Sequence, residues 1–418
     1  MITLYVFVMK LLRVCLPLLR RLPHPKLQYF FRFQGRIHQA VPVQNPIWIH
    51  ASSGEIEYAR SVIRALQAQN PNIPILVTHT SLSSRRALEN LGVTATGVSP
   101  LDEPQSIEDF LQTFRPRACL IARTDLWPLT LRALRAHQIP TYLFSATFSG
   151  GTRKTSFWAR QLLKSSLPEL QKIYFVSEKD QLMCRQYYPS AQGEVLGDTR
   201  YDQVFFRLAQ PAPLSLPTHN RILIAGSTWP QDESVLLEAT PELKSLGWKW
   251  IWAPHEVDEA HLTGLESQLR EKGLKSARLG QIGTEFRWED LDALIIDRVG
   301  ILAHLYPYAR LAFVGGSFKS QVHSVMEALA ASVPVLVGPH HHNSREAMEF
   351  RSLGFVKEVR SAAHIIDAIT TFDLGLDHLR PLLAAQMQSK LGATDRLLAA
   401  LTAEGLFSES SQNELRTN

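Results

Sequence analysis

The sequence predicts an α/β protein built from two doubly wound, Rossmann-like domains with an interdomain cleft, preceded by a membrane-associating helix. Three observations predict it. Short continuous apolar runs alternate with segments of helical spacing in two separate series, the pattern of parallel sheets covered on both faces. A proline-rich, uncharged stretch, AQPAPLSLPTHN (residues 209–220), divides the two series and reads as a linker. The chain opens on an apolar segment whose only charges are positive.

That opening segment, residues 1–40, comes first. Lys10, Arg13, Arg20, Arg21, Lys26, Arg32 and Arg36 are its charges, and no Asp or Glu occurs before Glu55. The apolar run before Lys10 spans nine residues, and Lys10, Arg13 and Pro17 interrupt its continuation. A spanning helix needs ~20 apolar residues, and a secretory signal places its charges first. An interfacial helix on an anionic membrane surface fits instead. The formal charge of +5 is therefore local, and the remainder of the chain forms no basic patch. No nucleic-acid partner is expected.

The first domain, residues 41–208, has apolar runs at 46–50, 75–80, 118–123, 141–147 and 172–177, with helical spacing at 55–69 and 127–137. The second, residues 221–402, has runs at 221–227, 249–255, 293–297, 311–316 and 334–339 and a terminal helix near 378–401. Residues 403–418 end in a polar tail that reads as disordered. A chain of 418 residues, 45% hydrophobic and 20% charged, can bury such cores without covalent staples. Cys15, Cys119 and Cys184 are too scattered for a disulfide framework or a zinc site, and point to a reducing compartment.

Open α/β sheets bind ligands beyond the carboxyl ends of their strands, so the motifs there carry the functional reading. HASSGE (residues 50–55) follows the first main strand. Gly54 would permit a tight turn, and the helix N-terminus would keep Glu55 ionised as a general base; equally, Ser52 or Ser53 would cap the helix with Glu55 complementing its dipole. In RTDLWP (residues 123–128), Asp125 would cap the following helix, or Arg123 and Asp125 would contact substrate. AGSTWPQDE (residues 225–233) brings the Ser227 and Thr228 hydroxyls to a helix start, a phosphate-sized anion site without the Lys of a P-loop. WAPHE (residues 252–256) ends a strand with His255 and Glu256. In GGSFKSQVHSVMEALA (residues 315–330) two glycines admit a ligand, and helical spacing would put His323 and Glu327 on one face, where a carboxylate accepts ribose hydroxyls. Ser324 with Glu327 also has the form of a capping box. HHHN (residues 340–343) has no acidic partner at metal-ligand spacing, so no metal is expected.

Taken in order, these motifs resemble the bacterial 3-deoxy-D-manno-octulosonic acid (Kdo) transferases, lipid A glycosyltransferases of the GT-B fold. FSATFS (residues 144–149), LGDTRYD (residues 196–202) and PVLVGPHHHN (residues 334–343) extend the likeness over roughly residues 1–400. The resemblance implies an inverting transferase moving Kdo, or a related acidic sugar, from a CMP-activated co-substrate to a lipid A precursor in lipopolysaccharide biosynthesis. It implies no cofactor or metal, and a place on the cytoplasmic face of the inner membrane. It assigns Glu55 as the base and Ser52, Ser53, Gly54, Arg123 and Asp125 to the acceptor. Ser227, Thr228, Pro254, His255, Gly315, Gly316, Ser317, His323, Ser324 and Glu327 go to the donor. The chain departs from the family pattern in a shortened HASSGE turn, in Arg123 where an acid is common, in Asp125 for Glu, in Ser145 for Asn, in Ser324 for Asn, and in Thr147 where Arg is usual. The alternatives are a GT-B enzyme using a UDP-sugar, and a catalytically decayed member acting as a membrane-bound binding protein.

Overall fold

In the first sheet, β1 (Ile37–Gln39), β2 (Ile47–His50), β3 (Ile75–His79), β4 (Ala95–Val98), β5 (Ala118–Ala122), β6 (Thr141–Ala146), β7 (Lys172–Phe175) and β8 (Gly193–Val195) lie in the order β1-β4-β3-β2-β5-β6-β7-β8. Every pairing is parallel except β1 with β4. The second sheet is all parallel. It contains β9 (Ile222–Thr228), β10 (Lys249–Pro254), β11 (Ser276–Arg278), β12 (Ala293–Ile295), β13 (Leu311–Val314), β14 (Val335–Val337) and β15 (Val356–Glu358), ordered β11-β12-β10-β9-β13-β14-β15. This computed structural model describes residues 2–15, 25–39, 43–81, 88, 91–148, 157–211, 221–282 and 287–407. Residues 212–220 of the expected linker and 408–418 of the expected tail lie outside them.

Every apolar run named above becomes a strand buried on both faces. In β2, Ile47 and Ile49 enter one core layer and Trp48 the other, as the two-residue period of a strand requires. In the second sheet, Trp250 and Trp252 stack at 5.0 Å inside a single large cluster. The segments IHQ, ATGV, GEV, SAR and VKE carry no such run, yet form β1, β4, β8, β11 and β15, four of them at sheet edges.

The order of strands reverses between β2 and β5 in one sheet and between β9 and β13 in the other. These are the switch points where such sheets bind ligands. The turns after β2 and β5 hold Glu55, Arg123 and Asp125; Ser227 stands just before the end of β9 at Thr228, and Gly315–Gly316 follow β13.

The chain divides into a first unit of Met1–Gln203 with Leu391–Asn418 and a second of Val204–Lys390. This corrects the expected boundaries: the division falls inside the Thr199–Leu208 helix, and the terminal Ala393–Ala403 helix joins the first unit. Leu397, Leu398 and Leu401 fill that unit's core, and the Asp202 carboxylate accepts from the Gly392 and Thr394 N–H groups, both at 2.7 Å.

The expected 1–40 segment is also not one piece, because Ile37–Gln39 is a strand of the first sheet. The Ile2–Val14 helix is docked: the Tyr5 hydroxyl donates to Asp102 at 2.8 Å, Arg13 pairs with Glu103 at 2.8 Å, and Met9 is buried. Leu4, Phe7, Leu11 and Val14 remain exposed. Among the described residues no helix is long and apolar enough to cross a membrane.

Candidate functional site

At the first switch point β2 ends on His50, and a short 3-10 turn, Ser53–Glu55, leads into the Ile56–Gln69 helix. His50 is buried in a network: one ring nitrogen contacts Asp125 at 3.0 Å, the other the Thr78 and Ser99 hydroxyls at 2.9 and 3.0 Å. Burial pushes the Asp125 carboxyl upward, but the His50 hydrogen bond and charge hold it below the ordinary range. Asp125 therefore does not cap the Pro128–Ala136 helix. Asp102 does so, accepting from the Leu129 and Thr130 N–H groups at 3.1 and 2.7 Å.

Glu55 accepts a long 3.4 Å hydrogen bond from the Ser52 N–H, part of the capping arrangement weighed above. That bond and the helix end do not keep it fully ionised at neutrality. Burial, then the neighbouring Asp125 charge, raise its pKa from 4.5 to about 7, against the pull of Arg123 and His50. A base poised near neutrality follows. Ser52 is tied to Thr80 through a 2.6 Å hydroxyl contact; the Ser53 side chain is outside the described residues. Gly54 has an ordinary φ and nothing within 4 Å of a would-be Cβ, so the turn does not demand glycine there.

Arg123 sits in the left-handed region at φ 63°, with its guanidinium 5.5 Å from the Tyr58 ring centre and 3.4 Å from Thr147 Oγ1. Arg123 therefore brings a guanidinium to the Thr147 hydroxyl.

At the second switch point much of the expected anion site is taken by the protein itself. Asp232 is buried and accepts from the N–H groups of Trp229, Gly316 and Phe318 at 2.9, 2.7 and 2.9 Å. The Gly316 N–H is therefore not offered to a ligand. Thr228 is fully buried and donates to Glu233 at 2.7 Å, and Ser317 donates to the Val314 carbonyl while accepting from the Gly338 N–H. Thr228 and Ser317 hold the turn together. Gly315 is required, since a Cβ there would stand 2.3 Å from the Ser227 carbonyl. Ser227 itself is held at φ 55°. Pro254 is buried at the end of β10, opposite a β-bulge.

His323 precedes the short Met326–Ala330 helix and so does not share a helical face with Glu327; Ser324 is exposed and is not the helix cap, which is Val325. His255 stacks between Trp229 and His323, with ring centres 4.7 and 4.3 Å away. Trp229 Nε1 donates to His323 Nε2 at 3.0 Å. An indole nitrogen only donates, so the His323 proton resides on Nδ1. Burial, His255 and Lys319 lower its pKa to about 4, which keeps the ring neutral. Lys319 lies 3.0 Å from the Trp229 ring centre. Glu327 accepts from Arg207 at 2.6 Å. His341 is buried against the Gly338 carbonyl and Arg351, and no cluster of three metal-type ligands occurs among the described residues.

Residues 28–203 match the family model described as 3-deoxy-D-manno-octulosonic-acid transferase (kdotransferase). The chain is 29% identical to the 3-deoxy-D-manno-octulosonic acid transferase of Bordetella pertussis over 73% of its own length and 74% of that protein. It is 25% identical to the transferase of the same name from Haemophilus influenzae over 87% and 88%. Taken together, these matches make the chain similar to the Kdo transferases over most of its length. Its two units form the GT-B fold, as in the Neisseria meningitidis UDP-GlcNAc 2-epimerase, with a TM-score of 0.60 at 15% identity over 86% of this chain and all of that one.

Four residues absent from the sequence reading now stand in the candidate sites: His50, Asp232, Arg207 and Lys319. His50, Asp232 and Lys319 lie inside the motifs already quoted, and the acid three residues after Trp229 was the available signal for Asp232. Arg207 carried none, because its partner is 120 residues away.

Proposed function

We propose that this chain is a Kdo transferase that moves Kdo from CMP-Kdo to a lipid A precursor with inversion at the anomeric carbon, at the cytoplasmic face of the inner membrane. One observation carries the reading: Glu55 stands at a switch point with one long hydrogen bond and a pKa near neutrality, beside the His50–Asp125 pair. An acceptor hydroxyl loses its proton to Glu55 as its oxygen bonds the anomeric carbon. The bond from that carbon to the CMP phosphate oxygen breaks, and CMP leaves with the electron pair. In the second unit, Glu327 suits ribose hydroxyls, while the His323 Nδ1–H and the Lys319 ammonium suit the departing phosphate. The reading requires no metal, so activity should survive EDTA. The outward apolar stripe of the Ile2–Val14 helix supports contact with the bilayer surface. Phe157 and Trp158, 61% and 57% exposed, add aromatic rings of the kind that favour such an interface.

The test is transfer from CMP-Kdo to lipid A precursor read by mass spectrometry, with UDP-sugars as competing donors. Product from CMP-Kdo alone supports the proposal; product from a UDP-sugar alone, or none from either, removes it. For the membrane, Leu4, Phe7 and Leu11 changed to Gln should weaken vesicle binding without unfolding. Deleting the helix is a poorer test, because Tyr5 and Arg13 hold it to Asp102 and Glu103.

A further inference from the structure

Arg123 is the feature that the transfer reaction leaves unexplained. It lies on the same unit as Glu55, at the carboxyl end of β5, next to the switch point. Among the described residues no carboxylate lies within ion-pair distance of it, although its charge is felt at Glu55. Its neighbour Arg200, on the same Tyr58 ring, is by contrast paired with Asp198 at 2.6 Å. Arg123 also occupies a left-handed backbone conformation that is unfavourable for a non-glycine residue. Tyr58 and the Thr147 hydroxyl hold its guanidinium in place, and the hydroxyl can itself donate to an anion.

We infer that Arg123, with Thr147, binds a phosphate group carried by the acceptor close to the hydroxyl that Glu55 deprotonates. A planar guanidinium with unsatisfied donors matches a phosphate in two-point fashion. The acceptor is the source favoured here because the group lies on the unit of the base, apart from the donor-binding residues of the second unit. An acceptor phosphate docked there would fix the neighbouring hydroxyl relative to Glu55, converting binding into orientation. The inference rests on the transferase reading above.

The experiment compares wild type, Arg123→Met and Arg123→Lys on lipid A precursor and on the same lipid after phosphatase treatment, with CMP-Kdo as donor. It is run at pH 9, where Glu55 is ionised and any effect of Arg123 on its titration is removed. Wild type should prefer the phosphorylated acceptor. Arg123→Met should reduce that preference in kcat/KM by about 10- to 100-fold, the range of hydrogen bonds to charged groups. Arg123→Lys should keep an intermediate preference, since it retains charge without the fork. An unchanged preference in both variants overturns the inference, as does equal loss on both acceptors. If the variants instead lose discrimination for a carboxylated over an uncarboxylated CMP-sugar, Arg123 reads the donor and the inference also fails. A wild type that transfers to neither acceptor removes the transferase reading, a result distinct from all of these.

Discussion

The turns after β2 and β9 are built alike and do different work. Each follows a central strand at a switch point, opens a helix and places an acid near the helix start, Glu55 in one and Asp232 in the other. Burial raises the pKa of both carboxyls. They differ in hydrogen-bond partners: Asp232 accepts from three backbone N–H groups within 2.9 Å, whereas Glu55 accepts from one at 3.4 Å. Asp232 joins two loops, whereas Glu55 has a single long hydrogen bond. A raised pKa does not by itself distinguish a catalytic acid from a structural one; partner geometry does.

The largest expected effect is on chemistry. Glu55→Gln keeps shape and capping but cannot take a proton, so kcat should fall by about 10²- to 10⁴-fold with CMP affinity held, measured by transfer kinetics and calorimetry. Activity within a few-fold of wild type would make Glu55 a cap like any other. Asp232→Ala should act on stability instead, costing ~3 kcal/mol or more because three buried N–H groups lose their acceptor. Chemical denaturation would show it, and a stability equal to wild type would deny Asp232 its joining role.

Smaller effects separate the sites further. Glu327→Ala should weaken CMP binding by roughly 10- to 100-fold, the range of a charge-assisted hydrogen bond. Calorimetry with equal affinities would leave Glu327 only its ion pair with Arg207. Initial rates should rise with pH through about 7 and level off above it, since the base acts when deprotonated. Asp125→Asn removes the negative charge that raises the Glu55 pKa, so the acidic limb of that profile should move to lower pH. A limb that stays in place would separate Glu55 from Asp125. Stability carries the same signature. A carboxyl with a raised folded-state pKa contributes stability below about pH 4.5 that is lost as pH rises through 7. Glu55→Gln should therefore melt higher than wild type at pH 8, with the difference closing toward pH 4.5.

Much of this arrangement is legible in the chain. The motifs HASSGE, RTDLWP, AGSTWPQDE and GGSFKSQVHS all fall at strand ends as their residue patterns require, and Glu55 stands in the turn after β2. Reading each motif as a local device was less successful. Asp125 looks like a helix cap because Pro128 follows it three positions later, but a buried histidine 75 residues away claims its carboxylate. Ser324 and Glu327 have capping-box spacing, but the helix begins only at Met326 and Glu327 turns to Arg207.

The sequence by itself determined the two α/β series, the central strands and the strand-end location of the acids. Apolar periodicity and turn residues act over a few positions, and those features need nothing more. Only the tertiary structure decided which acids are satisfied. The strand orders bring the turn after β2 to the turn after β5, and the turn after β9 to that after β13. The Asp232 to Gly316 bond spans 84 residues. The terminal helix shows the same dependence: Ala393–Ala403 has an apolar stripe that would suit either unit, and contacts with Ser61 and Asp202 place it on the first. The choice among partners distant in sequence is made by which ends of which strands meet, and no local pattern encodes that.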